Sequence, residues 1–214
     1  MAPAKAWLPS EKLFREFQSI GFYLSAHPLD EYDEVLQKRR VQKWSDFQRA
    51  VKAGSTAGRL AGTVTSKQER KTRTGNRMGI IQLSDSTGQF EVVVFSEGLA
   101  QYREMLEAGN SVVMLVEAED KPEGISLRLQ SARNLEQEAS QVENHLRIFL
   151  RDETPLASIP SLLQTRGEGT ASIVVLHETG EREVEINIPG RRSVSPQVRN
   201  AIKGVPGVVD AELV

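Results

Sequence analysis

The sequence predicts an α+β protein with more than one domain, and three observations carry that prediction. Apolar residues at helical spacing dominate roughly the first fifty positions. Five short β-rich segments then crowd into about eighty residues, with one helical piece between the third and fourth. The remaining residues alternate as β-α-β-β-α-β. A chain of 214 residues has room for one large domain or two small ones, at about 150 residues per domain.

Residues 1–54 form the helical segment. Leu13, Phe14, Phe17, Ile20 and Leu24 make one apolar stripe, and Ser10 is placed to cap it. Gly21 and the run Ser25-Ala26-His27-Pro28 interrupt the stripe. Pro28 suits the first turn of a second helix, because its missing N–H would have had no partner there. That helix carries Leu29, Tyr32, Val35 and Leu36 and ends in Lys38-Arg39-Arg40, which complements the helix dipole. A third helix turns Trp44, Phe47 and Val51 inward, with Ser45 as its expected cap and Gly54 as its stop. Helices this short have little core of their own, so they are expected to pack on a neighbour.

Residues 55–137 change to strand. The candidates are 59–65, 78–83, 91–95, 112–116 and 125–129, with a helical piece from Glu97 to Glu107. Asp85-Ser86-Thr87-Gly88 is a hairpin signal between the second and third strands. This element order, β-β-β-α-β-β, is that of the OB-fold barrel. Residues 138–144 are mostly polar and read as a linker. Residues 145–214 then give a small α+β domain: strands near 146–150, 171–176, 184–188 and 208–214, and helices over 155–166 and 195–203. Their order is that of a split βαβ unit.

Composition narrows the function. The chain is 39% hydrophobic and 26% charged, with a net charge of −2, so it is not a uniformly basic nucleic-acid binder. It has no cysteine, which removes disulfides, thiolate metal sites and cysteine nucleophiles and suits a reducing cytoplasm. Its three histidines, His27, His145 and His177, show no metal-ligand spacing. The longest apolar runs fall far short of the ~20 residues that span a bilayer, and Met1 to Pro9 lacks a signal-peptide core. A cytoplasmic protein with no cofactor, no metal and no membrane contact is expected.

Charge placement is the strongest local signal. From Arg59 to Arg77 six cations (Arg59, Lys67, Arg70, Lys71, Arg73 and Arg77) face one carboxylate, Glu69; from Glu97 to Asp120 the balance is reversed. Most of the cations lie in the loop between the first two strands. In OB folds that loop, the loop between strands four and five, and the face of strands two and three form the ligand groove. Cations there can neutralise phosphates without reading sequence. Gln82 and Phe90, on strands two and three, complete the candidate set. Phe90 is the candidate for base stacking and Phe95 reads as core, although parity alone does not fix the faces. Ser25, His27 and Asp30 crowd into one helix-to-helix turn, where local capping accounts for them better than a catalytic triad. Glu181, Glu183 and Glu185 alternate along one strand and read as a solvated face.

Two stretches carry a resemblance. Gly21-Phe22-Tyr23-Leu24-Ser25-Ala26-His27-Pro28-Leu29-Asp30-Glu31-Tyr32 resembles a signature of the alpha subunit of bacterial DNA polymerase III, with Ala26 where glycine is common. Gly75 to Gly88 and Glu91 to Phe95 resemble that family's OB domain. Trp7-Leu8-Pro9 and Lys203-Gly204-Val205-Pro206-Gly207-Val208 also fit. The resemblance implies the C-terminal part of a DNA-directed DNA polymerase, downstream of its catalytic aspartates. It would comprise the end of the clamp-binding region, the OB domain and the C-terminal domain. It implies single-stranded template for the OB domain, carried over to Lys67, Arg70, Lys71, Arg73 and Arg77, and the clamp-loader tau subunit for the C-terminal domain, with no residues marked. No Gln-x-x-Leu/Met-Phe box occurs, so sliding-clamp contact is not assigned to this chain. The expected function is non-catalytic: DNA binding and docking of holoenzyme partners, including the rest of the polymerase chain. A protein-interaction scaffold and an RNA-binding module of synthetase type are the alternatives.

Overall fold

The computed structural model describes residues 9–21, 23, 25–71, 75, 77–176 and 183–214. The chain divides into two compact units, Met1–Leu135 and Glu136–Val214.

The first unit is built on a closed barrel. Its strands are β1 (Ala57–Lys71), β2 (Arg77–Asp85), β3 (Gly88–Phe95), β4 (Ser111–Lys121) and β5 (Gly124–Asn134), in spatial order β1-β2-β3-β5-β4. β1 closes the barrel antiparallel to β4, while β3 and β5 meet in a short parallel contact, Val92 opposite Leu127 and Val93 opposite Arg128. Alternate residues point inward, as strand geometry requires. Leu60, Val64, Ile81, Leu83, Phe90, Val92, Val94, Val112, Met114, Val116 and Leu127 fill the interior. Helix α4 (Ser96–Gln101) adds Leu99 to the same core.

The N-terminal helices are fastened to this barrel. Helices α1 (Pro9–Ile20), α2 (Asp33–Lys38) and α3 (Trp44–Lys52) precede β1, with a 3-10 turn at Asp30–Tyr32. The helix expected at Pro28 therefore starts later, after the turn that His27 and Asp30 shape. Leu29 and Leu36 pack with Ala61, Val113 and Leu135. Trp44, Phe47 and Val51 of α3 join the barrel core, and Trp44 stacks on Phe90 with ring centroids 5.1 Å apart. Gly58 makes room for Phe47: a Cβ there would lie 2.3 Å from its ring. Ser45 is not the cap of α3. The helix begins one residue earlier, and its leading amides are satisfied from the β2–β3 turn: Trp44 N–H donates to Asp85 at 2.6 Å and Ser45 N–H to the Thr87 hydroxyl at 3.1 Å. Gly54, at φ +103°, ends the helix as expected. The side chain of Ser10 lies outside the described residues.

His27 is the inner fastening. It is 7% exposed; its Nε2 lies 3.1 Å from the Ser84 hydroxyl of β2, and its Nδ1 accepts the Leu29 N–H. Because Nδ1 is the acceptor, Nε2–H is the donor to Ser84. Asp30 accepts the His27 N–H at 2.7 Å, and Glu16 accepts from Ser25. These residues therefore fold a strap across the barrel. Burial pushes the His27 pKa below its ordinary value, only partly opposed by the Asp30 and Asp85 carboxylates and the contact with Ser84. Below about pH 6.5 the unfolded chain therefore binds a proton that the folded chain resists. Stability should be level above that pH and fall by up to ~1.4 kcal/mol per unit as pH drops below it. Urea unfolding at pH 5 and pH 8 checks this, and His27→Gln should flatten this part of the slope.

The second unit holds helix α5 from Glu136 onward (Leu135–Ser140), β6 (His145–Leu150), a 3-10 turn (Thr154–Ala157), α6 (Ile159–Leu162), β7 (Gly169–Leu176), β8 (Glu183–Arg192), α7 (Pro196–Lys203) and β9 (Val208–Leu213). Leu146, Ile148 and Leu150 of β6 are buried with Ile159, Leu163 and Ile202. Ser195 caps α7 by accepting from Val198 N–H, and its hydroxyl donates to Glu136. The element order matches the expectation, but the βαβ unit is not split. The sheet order is β8-β7-β6-β9, with β6 and β7 paired directly and parallel, so β8 adds at the outer edge. The helix expected over 155–166 breaks into a 3-10 turn and α6 because Pro160 falls in the interior of that span and removes a backbone donor, whereas Pro155 sits harmlessly in a first turn. Gly167 packs against backbone, where a Cβ would lie 2.6 Å from the Ser193 Cα. The turn expected around 178–180, together with His177 and Glu181, falls outside the described residues, as does the side chain of Glu183.

Candidate nucleic-acid interface

Strand parity builds the candidate face. β1 and β2 run on past the barrel as a two-stranded arm, with Lys67 opposite Ile81, Arg70 opposite Met78 and Lys71 opposite Arg77. Met78 in turn lies opposite Phe95 of β3, and Val93 opposite Arg128 of β5. Cross-strand partners share a face. Arg70, Met78 and Phe95 therefore form one row on the outer surface of the barrel, with Arg128 beside it.

The predicted cations divide into three groups. Arg70, Lys71 and Arg77 are exposed on the arm. Arg59 and Lys67 are engaged in structure instead. The Arg59 guanidinium donates to the Arg39 carbonyl at 3.2 Å, fastening the end of α2, and sits twelve positions before Lys71 on β1. Lys67 is only 11% exposed; its ammonium lies 2.7 Å from Glu107 and 3.1 Å from the Arg103 carbonyl. That ammonium holds the Glu107 carboxyl below the usual carboxylate range. Arg73 lies outside the described residues. Gln82 is exposed, but its amide is used in a cross-strand ladder: it accepts from Ser66 at 2.7 Å and donates to Glu91 at 2.9 Å.

The two phenylalanines of β3 exchange their expected roles. Phe90 is 5% exposed and stacks inside on Trp44, so it has no face to offer a base. Phe95 is 46% exposed, with the Arg128 guanidinium 5.2 Å from its ring centroid. Alternation along β3 is the cause: Phe90, Val92 and Val94 point in, while Glu91, Val93 and Phe95 point out. The charged Glu91 was the available signal, since a carboxylate marks the outward phase. Phe95, Met78 and Arg128 are thus the members that sequence reasoning missed.

Chemically, the face offers a half-exposed aromatic ring with a guanidinium over one side, and a cationic arm alongside. An exposed ring accepts a stacked base of any sequence, and arginine adds a cation–π contribution. Arg128 also lies 3.7 Å from Glu117, so the β4–β5 side is electrostatically mixed while the β1–β2 arm is basic.

A family model described as an OB-fold nucleic acid binding domain matches residues 59–135. In class, the barrel is therefore an OB fold, similar to the domains that this model describes. The chain is 30% identical over 214 residues to the DNA polymerase III subunit alpha of Caulobacter vibrioides, covering 97% of this chain and 18% of that protein. With the Aquifex aeolicus subunit it shares 27% identity over 200 residues, covering 88% and 16%. The chain is homologous to part of the alpha subunit of bacterial DNA polymerase III, and it spans less than a fifth of the length of these relatives. Among solved structures, the mitochondrial single-stranded DNA binding protein Rim1 of S. cerevisiae is similar in fold, at a TM-score of 0.33 and 17% identity, over 38% of this chain and 96% of that one. No helix among the described residues is long and apolar enough to cross a membrane.

Proposed function

We propose that this chain is a non-catalytic part of a replicative DNA polymerase alpha subunit, acting in the cytoplasm. Its barrel holds single-stranded template across β2 and β3, and its second unit docks a holoenzyme partner. The row Arg70–Met78–Phe95 with Arg128 carries the first half of this reading, because it joins a stacking surface to a cationic arm on the ligand face of an OB fold. Arg70, Lys71 and Arg77 neutralise phosphates; Lys67 and Arg59 hold the barrel together. Polymerisation belongs to the rest of the subunit.

The test is fluorescence anisotropy with a labelled single-stranded DNA across a salt series, beside RNA and duplex controls. Three phosphate contacts at ~0.7 each predict a slope of about −2 for log K against log salt. Alanine at Arg70, Lys71 or Arg77 should each reduce that slope by about 0.7, whereas Lys67→Ala should leave it unchanged. A wild-type chain that stays unbound at low salt would sink the proposal, and preference for RNA would favour the synthetase-type alternative. Exposed Leu156, Val184 and Ile186 in the second unit favour partner docking there, with the tau subunit as the partner the resemblance names.

A further inference from the structure

The outer face of the barrel carries a second feature, some way along β2 from Phe95. A cleft of about 410 Å³ opens there, lined by Phe17, Gly21, Thr65, Ser66, Gln82 and Gln89. Its wall comes from α1. Gly21, at φ +79°, ends that helix, and its N–H bonds back to the Phe17 carbonyl at 2.8 Å. The chain then returns so that Tyr23 stacks on Phe17, centroids 5.1 Å apart, and meets His27 edge-on. Since His27 is fixed to Ser84, the aromatic wall is tied to the barrel.

The floor is equally specific. Neighbours along a regular strand point to opposite faces, yet Thr65 and Ser66 both line this cleft. A β-bulge between Val64 and Ser66 makes this possible by inserting Thr65 as an extra residue. The floor thus presents the Thr65 hydroxyl and the Gln89 carboxamide beside an aromatic ring, next to the Ser66–Gln82–Glu91 ladder, and none of the six lining residues is charged. A phosphate would find no cation there, and an aliphatic side chain would leave the Thr65 hydroxyl and the Gln89 carboxamide facing apolar surface. A neutral planar group with both donors and acceptors satisfies them.

Building on the single-strand reading above, we propose that this cleft takes one nucleobase of the strand whose neighbouring base stacks on Phe95. Met78, opposite Phe95, lies four positions from Gln82 on β2, about 13 Å at ~3.3 Å per residue. A site of ~4–16 nucleotides covers both places.

The experiment uses the full chain and a labelled oligothymidylate of about 16 nucleotides. Phe17→Leu keeps apolar bulk but removes the aromatic face; Gln89→Ala removes an exposed carboxamide with little risk to folding. Each should weaken binding roughly fivefold with the salt slope unchanged, because neither carries charge. Wild-type affinity in both variants, alongside a clear loss in Phe95→Ala, overturns the base cleft and leaves the single-strand function standing. Absence of binding by the wild-type chain overturns both.

Discussion

Replacing Phe95 by alanine is expected to weaken single-stranded DNA binding roughly 5- to 150-fold, from the ~1–3 kcal/mol that one base–aromatic stack contributes. The unfolding free energy should barely change, because nearly half of the ring is already in solvent. Phe90→Ala gives the opposite pattern: that ring is enclosed between Trp44 and the barrel interior, and its loss should cost ~3–5 kcal/mol of stability. The pair separates a binding residue from a core residue of the same type on the same strand. Phe95→Trp should bind at least as tightly as wild type, since it enlarges the stacking surface under Arg128. Equal affinity of Phe95→Ala and wild type, measured by anisotropy at low salt, would remove β3 from the interface.

What the sequence made legible followed from periodicity and turn chemistry. Val92 and Val94 could be placed on a strand, Asp85 to Gly88 in a hairpin, and Trp44, Phe47 and Val51 on one helix face, because each pattern is local. The parts that stayed hidden depend on partners distant in the chain. Lys67 reads as one more cation of a basic loop; only the fold brings Glu107, forty residues on, to its ammonium. Ser45 has the composition of a helix cap, but Asp85 and Thr87 reach the helix first. The arm of β1 and β2 looked like a loop because Glu69, Arg70 and Lys71 break the apolar alternation, although the backbone pairs through to Lys71 opposite Arg77. The face of β3 depended on one residue of phase, which Glu91 could have fixed. The order of β8 outside β7 is a choice between two sheet edges that local pattern does not register.

Asp85→Ala should be among the most destabilising single changes in the barrel, at about 3–5 kcal/mol, because several donors each lose an acceptor at ~1–3 kcal/mol. Asp85 is 8% exposed, and its carboxylate accepts four hydrogen bonds: Trp44 N–H, Thr87 N–H, the Thr87 hydroxyl and Gly88 N–H, at 2.6 to 3.0 Å. It closes the β2–β3 turn with one oxygen and caps α3 with the other, where a negative charge also favours the helix N-terminus. Alanine leaves these donors without their acceptor in a largely dry site. Asparagine can keep the turn but offers Trp44 N–H no acceptor, so Asp85→Asn should fall between alanine and wild type. Urea unfolding gives the order, and Trp44 fluorescence reports whether α3 has left Phe90. A loss below about 1 kcal/mol for Asp85→Ala would show that the helix holds without this cap. The consequence reaches the interface, because the same turn sets the register of β2 against β3. A slip of one residue would turn Phe95 inward and Phe90 outward. Destabilised Asp85 variants should therefore lose DNA binding at temperatures where much of their secondary structure survives, which circular dichroism and anisotropy on the same samples would detect.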